Sequence, residues 1–482
     1  MQLRTLTQAQ RRLLNRLATA LKPGRLFLVG GTVRDALLDR PIKDVDVVVS
    51  GLPLAHVRTV AVKFGSVANI GTAFGVLRLT PPKKDFVVDL ALPRTEIGRG
   101  LGGHKDFSFA PDPHLALEKD LARRDFTINA IAVEWPSGTV VDPFGGQRDL
   151  KARMLRTVGR AEDRFAEDYV RLLRLVRFAV TLGLTVHPTT ATVAKRMMGR
   201  LNAKRGGRFV VPREAVADQL VRTFSADPMR AFDAYDRFGL FDVLLPEVAA
   251  LRGVKQPRHY HSEGDVWQHT QLALAALSSR AFRATFRTTR VHPLTIIAAL
   301  LHDIGKPATR RLVKEHGGRR VHFWGHDVRG AAMVRRIAQR LRLSSTGIAT
   351  DELTWLIRHH LIATINDPLT LRRSTLIEYF FGERGRRLIE LTWVDQTASF
   401  RPGGRPAREH VRSLRQRLKK IVDLEQLPPP LLTGHDLMTL FNLSESPALG
   451  ALLKKVRERQ LDGELTTSTA AVRFVAGLIK HR

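Results

Sequence analysis

Asp44 and Asp46 stand one residue apart in the valine-rich run Lys43–Val49, KDVDVVV. That run reads as a buried strand, and because strand side chains alternate, the two carboxylates share one face about 7 Å apart. Such a ledge suits a pair of divalent cations. Gly30-Gly31 precedes it, after an apolar strand Arg25–Val29 and before a helix Thr32–Asp39 with Thr32 suited to cap it. Paired glycines let backbone approach a triphosphate without an obstructing Cβ, the helix N-terminus favours negative charge, and Arg34 lies within reach of phosphates. Either piece alone is more often a solvated strand face or a plain turn. Together they point to phosphoryl transfer.

A second set of metal-ligand types lies some two hundred residues on. Ten of the 17 histidines fall between His259 and His360. His269 lies in an expected helix, His302-Asp303 ends the apolar run LTIIAALL, and His326 follows Phe323-Trp324. His359-His360 closes another helix, and Asp395 lies in LTWVDQTAS. A lone helical histidine is usually packed or at the surface, and ligands this far apart meet only by folding. The set as a whole points to metal-assisted hydrolysis of a phosphate ester.

These groups need a sizeable scaffold. The chain has 482 residues, with 78 Lys plus Arg against 46 Asp plus Glu, a net charge of +32. Its length implies about three or four units. The charge favours a polyanion, with an affinity that falls steeply as salt rises, and nucleic acid is the obvious candidate. No run approaches the roughly 18 apolar residues of a membrane span. With no cysteine, any metal must be held by His and carboxylates, and a cytoplasmic setting is expected. The basic, amphipathic Met1–Leu21 reads as a helix packed on the first domain rather than a leader. After about residue 150 the spacing is helical: Tyr169–Leu182, Arg213–Phe224, Asp227–Phe238 and Val266–Leu277 repeat apolar residues every three or four positions.

The run GGTVRDALLDRPIKDVDVVV resembles the signature of the nucleotidyltransferase superfamily, in particular the bacterial tRNA nucleotidyltransferase and poly(A) polymerase family. ARRDFTINAIA (122–132), DPFGG (142–146) and EDYVRLLRLVRF (167–178) are similar to its further motifs, in the same order. The resemblance continues through AFDAYDRFGLFDVLLPEV, HSEGDVWQHT, LLHDIGKPAT and LLTGHDLM. It implies that Asp44 and Asp46 bind Mg²⁺, with Asp89 of FVVDLAL as a possible third carboxylate or simply a paired strand aspartate. It also implies that Asp168 and Arg171 present hydrogen-bonding groups to the Watson-Crick edge of CTP and ATP. Arg124, Arg174 and Arg177 would touch ribose or phosphates. At Val211–Ala215, and Asp218 beyond, the family's fifth motif is only partly matched, and no role carries over. The glycine-rich stretch within Arg94–Glu118 corresponds to a flexible loop of CCA-adding members.

The order H, HD, H, HH, D resembles the HD superfamily of metal-dependent phosphohydrolases. That resemblance implies a centre at His269, His302, Asp303, His326, His359, His360 and Asp395, loaded with Ni²⁺, Mn²⁺, Co²⁺, Fe²⁺ or Mg²⁺. The expected activity is 2′,3′-cyclic phosphodiesterase, 2′-nucleotidase or phosphatase.

The fold class expected is α+β. A nucleotidyltransferase α/β head with a small mixed sheet (1–150) leads to an all-helical neck (151–225) and a helical body with the HD domain (226–404). A basic helical tail (405–482), with helices at Arg408–Lys420 and Leu449–Arg459, would lie along tRNA. The expected function is CCA addition to tRNA from CTP and ATP. The rivals are poly(A) synthesis, addition of CC or A only, and an RNA-binding platform with only the HD domain active. Poly(A) polymerases usually carry a basic element after the first motif, where this chain has Ile70–Gly75.

Overall fold

The computed structural model describes the chain apart from residues 1–2, 71–74, 84, 99–101, 104–106, 316–317, 367–368, 407–410, 415, 417–426 and 481–482. It divides into two compact units, Met1–Leu244 and Leu245–Arg482. This division falls within the stretch 226–404 assigned to one body from the sequence.

The first unit is built on a seven-stranded sheet in the order β3-β4-β5-β2-β1-β8-β9. The strands are β1 (Arg25–Val29), β2 (Asp44–Ser50), β3 (Ser66–Ile70), β4 (Val76–Thr80) and β5 (Val87–Ala91), with β8 (Ala132–Trp135) and β9 (Val140–Val141). A separate hairpin pairs β6 (Arg94–Gly98) with β7 (Phe107–Pro111). The sheet is mixed because β2 and β5 run parallel while β1 pairs antiparallel with β2 and β8. β2 is buried for a simple reason: Val45, Val47 and Val49 fill one face, while Val48 joins Phe27, Val29 and Leu121 on the other. Branched side chains on both faces leave the sheet's centre dry, and only the early end of β2 carries charge into solvent.

The helix after β1 spans Gly31–Leu37, and its N-cap is Gly30 rather than Thr32. Thr32 instead faces β2. Its hydroxyl accepts from the Asp46 amide at 2.7 Å and donates to the Asp44 carbonyl at 3.4 Å. The threonine therefore clamps the helix to the aspartate strand, which a reading of local capping alone does not foresee.

Helices dominate the rest of this unit, including Val170–Leu182, Arg213–Ala226 and Pro228–Arg237, all close to their expected limits. The N-terminal helix runs Gln8–Ala20 with a Thr7 capping box and buries Leu13, Leu14 and Leu17.

The second unit is helical. Val266–Leu277 starts at an Asp265 capping box, Pro293–Leu301 has proline in its first turn, and Gly382–Ala398 is a long buried helix. One ribbon interrupts it, β10 (Arg311–Glu315) with β11 (Gly318–His322), paired antiparallel. Together with three two-residue ladders elsewhere, it corrects the expectation that everything after the head is helix. Near the C-terminus, Leu437, Leu452, Val456 and Val475 share a small core of their own, and the helix Pro447–Asp462 contains the expected Leu449–Arg459. Most of Arg408–Lys420 lies outside the described residues. Among the described residues no helix is long and apolar enough to cross a membrane.

Candidate functional site

In the first unit, the strand pairing sets the carboxylates. Parallel register places Asp46 beside Asp89, and Asp44 lies two residues earlier on the same face of β2. Burial, then the neighbouring Asp89 and Asp44 charges, raise the Asp46 carboxyl to about 6 in spite of Arg124 and Arg34. Carboxylates crowded this way fit a cation that would relieve their repulsion. Asp89 also accepts two hydrogen bonds of 2.8 Å from Arg78, its partner on β4, so it is the paired strand aspartate, one of the two alternatives for it.

Gly30 has φ of +61°, and a Cβ there would stand 2.7 Å from the Arg124 guanidinium. At Gly31 a Cβ would come within 3.3 Å of Asp46 Oδ2. Both glycines thus keep space directly above the carboxylates, where a substrate's phosphates need it.

All of these residues line one cavity of about 1250 Å³, and so do Arg34, Arg124, Asp168, Arg171, Arg174 and Arg177. The volume exceeds the ~300–1000 Å³ usual for a small ligand alone. Ten basic side chains line it against six acidic ones, so the field there favours a polyanion. Arg177 feels this most: burial and then the charges of Arg174, Arg222 and Arg34 lower its guanidinium to about 10.

Asp168 precedes the helix Val170–Leu182, and its carboxylate accepts from the Val170 amide at 2.9 Å. Arg171 is buried; it pairs with Glu167 and donates to the carbonyls of Arg164 at 3.0 Å and Arg123 at 3.1 Å. Tyr169 donates its amide to the Gly102 carbonyl at 3.0 Å, so the glycine-rich stretch reaches the residue after Asp168. Residues 99–101 and 104–106, like most of the Ile70–Gly75 element, lie outside the described residues.

Asp125 and Asn129 escaped the sequence reading although they lie in the second motif. Asp125 accepts from Arg174 Nε at 2.7 Å and from Asn129 at 2.9 Å, and Asn129 in turn accepts from Arg34 at 2.7 Å. Burial alone would raise the Asp125 carboxyl, but Arg174, the Asn129 bond and Arg171 hold it at about 2. Its folded value lies below its ordinary one, so the stabilisation is complete above pH ~4 and fades as pH falls towards 2, a total of roughly 2 kcal/mol. Asp125→Asn is therefore expected to lower the urea midpoint at neutral pH, with the gap to wild type closing as the pH is taken down to ~2. A gap that stays constant across that range would remove Asp125 from the ion pair.

In the second unit the separated histidines converge. His269 Nε2 lies 3.2 Å from His302 Nε2 and 3.1 Å from Asp395 Oδ1, and His302 Nε2 is 3.3 Å from Asp303 Oδ2. Asp303 Oδ1 faces His326 Nε2 at 3.5 Å and His360 Nε2 at 4.0 Å. Asp303 thus bridges two groups with metal-ligand geometry, His269-His302-Asp303 and Asp303-His326-His360. Each imidazole is set from behind, since Nδ1 of His302, His326 and His360 donates to the carbonyls of Ala299, Phe323 and Ile357. That fixes the tautomer and aims Nε2 inward, as in metal sites. The buried Nε2 atoms of His326 and His360 have no hydrogen-bond partner, and burial, with His326 and His302 nearby, keeps His360 neutral, its pKa lowered to about 4. A divalent cation fits this donor set.

Glu263 is a supporting residue that spacing did not reveal. It accepts from His269 Nδ1 at 3.0 Å and from His261 at 2.7 Å, orienting the metal-facing imidazole. Burial would lower the His269 pKa, but its bonds to Asp395 and Glu263 raise it to about 9. Lys306, also missed, lies 2.6 Å from Asp303 Oδ2 and donates to Gln256 at 2.7 Å.

His359 is not brought into the cluster. Its ring lies against Trp355 and Tyr379, with centroids 4.7 and 5.1 Å apart, and Nδ1 donates to the Trp355 carbonyl. Neighbouring residues on a helix point about 100° apart, so only one of His359 and His360 can face the centre.

A mixed sheet presenting paired aspartates to an arginine-lined cavity is the arrangement of a nucleotidyltransferase head, and the converged histidines around Asp303 in the second unit are the arrangement of an HD domain. Residues 26–156 match the family model of the Poly A polymerase head domain, and 275–423 match the HD domain. The Multifunctional CCA protein of Alkalilimnicola ehrlichii is 37% identical over 365 residues, 74% of this chain and 78% of that one. The A-adding tRNA nucleotidyltransferase of Deinococcus radiodurans is 34% identical over 387 residues, 78% of this chain and 82% of that protein. In fold, the chain is similar to the Bacillus stearothermophilus CCA-adding enzyme in complex with CTP (TM-score 0.61, 21% identity, 99% and 100% of the two chains). The chain belongs to the bacterial tRNA nucleotidyltransferase family that includes the multifunctional CCA proteins.

Proposed function

We propose that this chain completes the 3′ end of tRNA by adding CCA from CTP and ATP, and that its HD centre hydrolyses phosphate esters. The support that weighs most is the meeting, in one basic cavity, of the aspartate ledge with Asp168 and Arg171 from a distant part of the sequence. Asp44 and Asp46, with Asp89 beside them, would hold Mg²⁺, which would sharpen the RNA 3′-hydroxyl as a nucleophile and neutralise the triphosphate. Gly30 and Gly31 make room for the phosphates, and Arg34, Arg124, Arg174 and Arg177 offset their charge. Asp168 and Arg171 read the base edge. The 3′-oxygen attacks the α-phosphorus, its bond to the bridging oxygen breaks, and pyrophosphate leaves.

In the HD centre, His269, His302, Asp303, His326, His360 and Asp395 form an imidazole-rich donor set that suits Ni²⁺, Mn²⁺, Co²⁺ or Fe²⁺ better than Mg²⁺. A metal held there would supply an acidified water, whose oxygen would bond to phosphorus as one ring P–O bond of a 2′,3′-cyclic phosphate breaks, leaving a phosphomonoester and a free ribose hydroxyl. The head (1–150), neck (151–225), HD body (226–404) and tail (405–482) remain the proposed division of labour, and the cytoplasm the proposed compartment.

Incubating the protein with tRNAs ending before, within and after CCA, with CTP and ATP supplied separately, tests the first activity. The expected result is stepwise addition that stops at CCA. Growth of an adenosine tail would favour poly(A) synthesis instead. Addition confined to tRNA ending in CC would favour the narrower specificity borne by the name of the Deinococcus relative.

A further inference from the structure

The ribbon β10–β11 is exposed, basic, and leads straight into the HD centre. Strand alternation and register put Arg311, Arg320 and His322 on one face and Lys314 and Arg319 on the other. His322 Nε2 donates to Glu315 Oε1 at 2.7 Å, and the ring stacks on Trp324, with centroids 4.5 Å apart and planes at 24°. Trp324 is nonetheless 61% exposed, a large apolar surface with one face covered by an imidazole and the rest open to solvent. The next residue inward, Phe323, is buried, and its carbonyl holds His326 Nδ1 at 2.8 Å. A single residue, Gly325, separates Trp324 from His326, which keeps their Cα atoms within about 7 Å of each other.

An exposed indole held flat by a second ring, flanked by cations, has the chemistry of a single-stranded nucleic-acid platform. Bases stack on the aromatic surface and the guanidinium and ammonium groups track the phosphates.

We propose that Trp324, backed by His322 and flanked by the basic side chains of β10–β11, stacks a nucleobase near the 3′ end of single-stranded RNA and so presents that end to the HD centre. This makes RNA ends, rather than free nucleotides, the preferred substrate class of that centre. The proposal rests on the hydrolytic reading of the HD centre, and its test separates the two.

Full-length protein loaded with Ni²⁺ is assayed on a short RNA ending in a 2′,3′-cyclic phosphate and on 2′,3′-cyclic AMP. For Trp324→Ala the ratio of kcat/KM on RNA to that on the mononucleotide is expected to fall about tenfold, through KM on RNA, with Trp324→Phe restoring most of it. An unchanged ratio overturns the proposal, and so does a drop carried wholly by kcat on both substrates. In parallel, the same RNA with a photoreactive 3′-terminal base is cross-linked and the adduct mapped. Adducts within 311–324 support the platform even if no hydrolysis is found, a result that would sink only the hydrolytic reading. Adducts confined to other segments, the first unit included, overturn it.

Discussion

Asp46→Asn is expected to reduce nucleotide addition at least about a thousandfold while leaving hydrolysis by the second unit within about twofold. The change is nearly isosteric, so the Thr32 clamp on the Asp46 amide stays in place. What it removes is charge. Asp46 is strongly desolvated, with Asp89 beside it and Arg124 and Arg34 facing it, and a neutral amide there cannot hold a divalent cation against those two guanidiniums. The loss should appear in kcat, since the arginines that bind phosphates remain, and CTP binding measured by calorimetry without metal should change little. A variant that retains wild-type addition would remove the ledge from catalysis, and a variant that loses both activities would join the two sites into one.

The ledge was legible because its determinants are local. Alternation in KDVDVVV, two glycines and a following helix all lie in one short run, and period-two patterning survives whatever packs against it. The helices Val170–Leu182 and Val266–Leu277 were legible for the same reason. What escaped depends on partners distant in the chain. Thr32 looked like a cap, yet a strand amide competes for its hydroxyl and wins. Asp125 pairs with Arg174, 49 residues on, and no spacing rule announces that. Glu263 lies six residues before His269, in a turn rather than on its helix, so helical periodicity does not connect them.

The His359-His360 pair shows a different limit, since either residue satisfied the motif and only the helix's rotation chose between them. The ribbon β10–β11 was readable and overlooked: RLVKE and GRRVH flank His316-Gly317, a hairpin signal inside a region read as helix. Its position is informative, because a pair of strands here carries exposed cations and an indole to the edge of a centre built otherwise from helix ends. Helix termini fix the ligands, with backbone carbonyls at Ala299 and Ile357 locking the rings, while the ribbon is free of that task.

Asp303→Asn is expected to abolish hydrolysis, by about a thousandfold or more, and to strip bound metal from the protein as read by elemental analysis, with tRNA extension retained. Asp303 is the residue common to both ligand groups, so one substitution weakens the whole centre. Burial would raise its carboxyl, yet His302 and Lys306 hold it far below its ordinary range, which marks it as an anion in the folded protein. Neutralising it leaves the buried Lys306 ammonium with Gln256 as its remaining named partner, and an uncompensated buried charge can cost about 3–5 kcal/mol. Loss of stability could then imitate loss of metal. His326→Gln separates the two, because its inward Nε2 has no hydrogen-bond partner among the described residues, its removal strands no charge, and the one bond lost is that from Nδ1 to the Phe323 carbonyl. That variant should melt near the wild-type temperature, keep extending tRNA, and lose hydrolysis together with part of its metal. Full metal content and full hydrolysis in His326→Gln would exclude the Asp303-His326-His360 group from the centre and leave His269, His302, Asp303 and Asp395 to carry the chemistry alone.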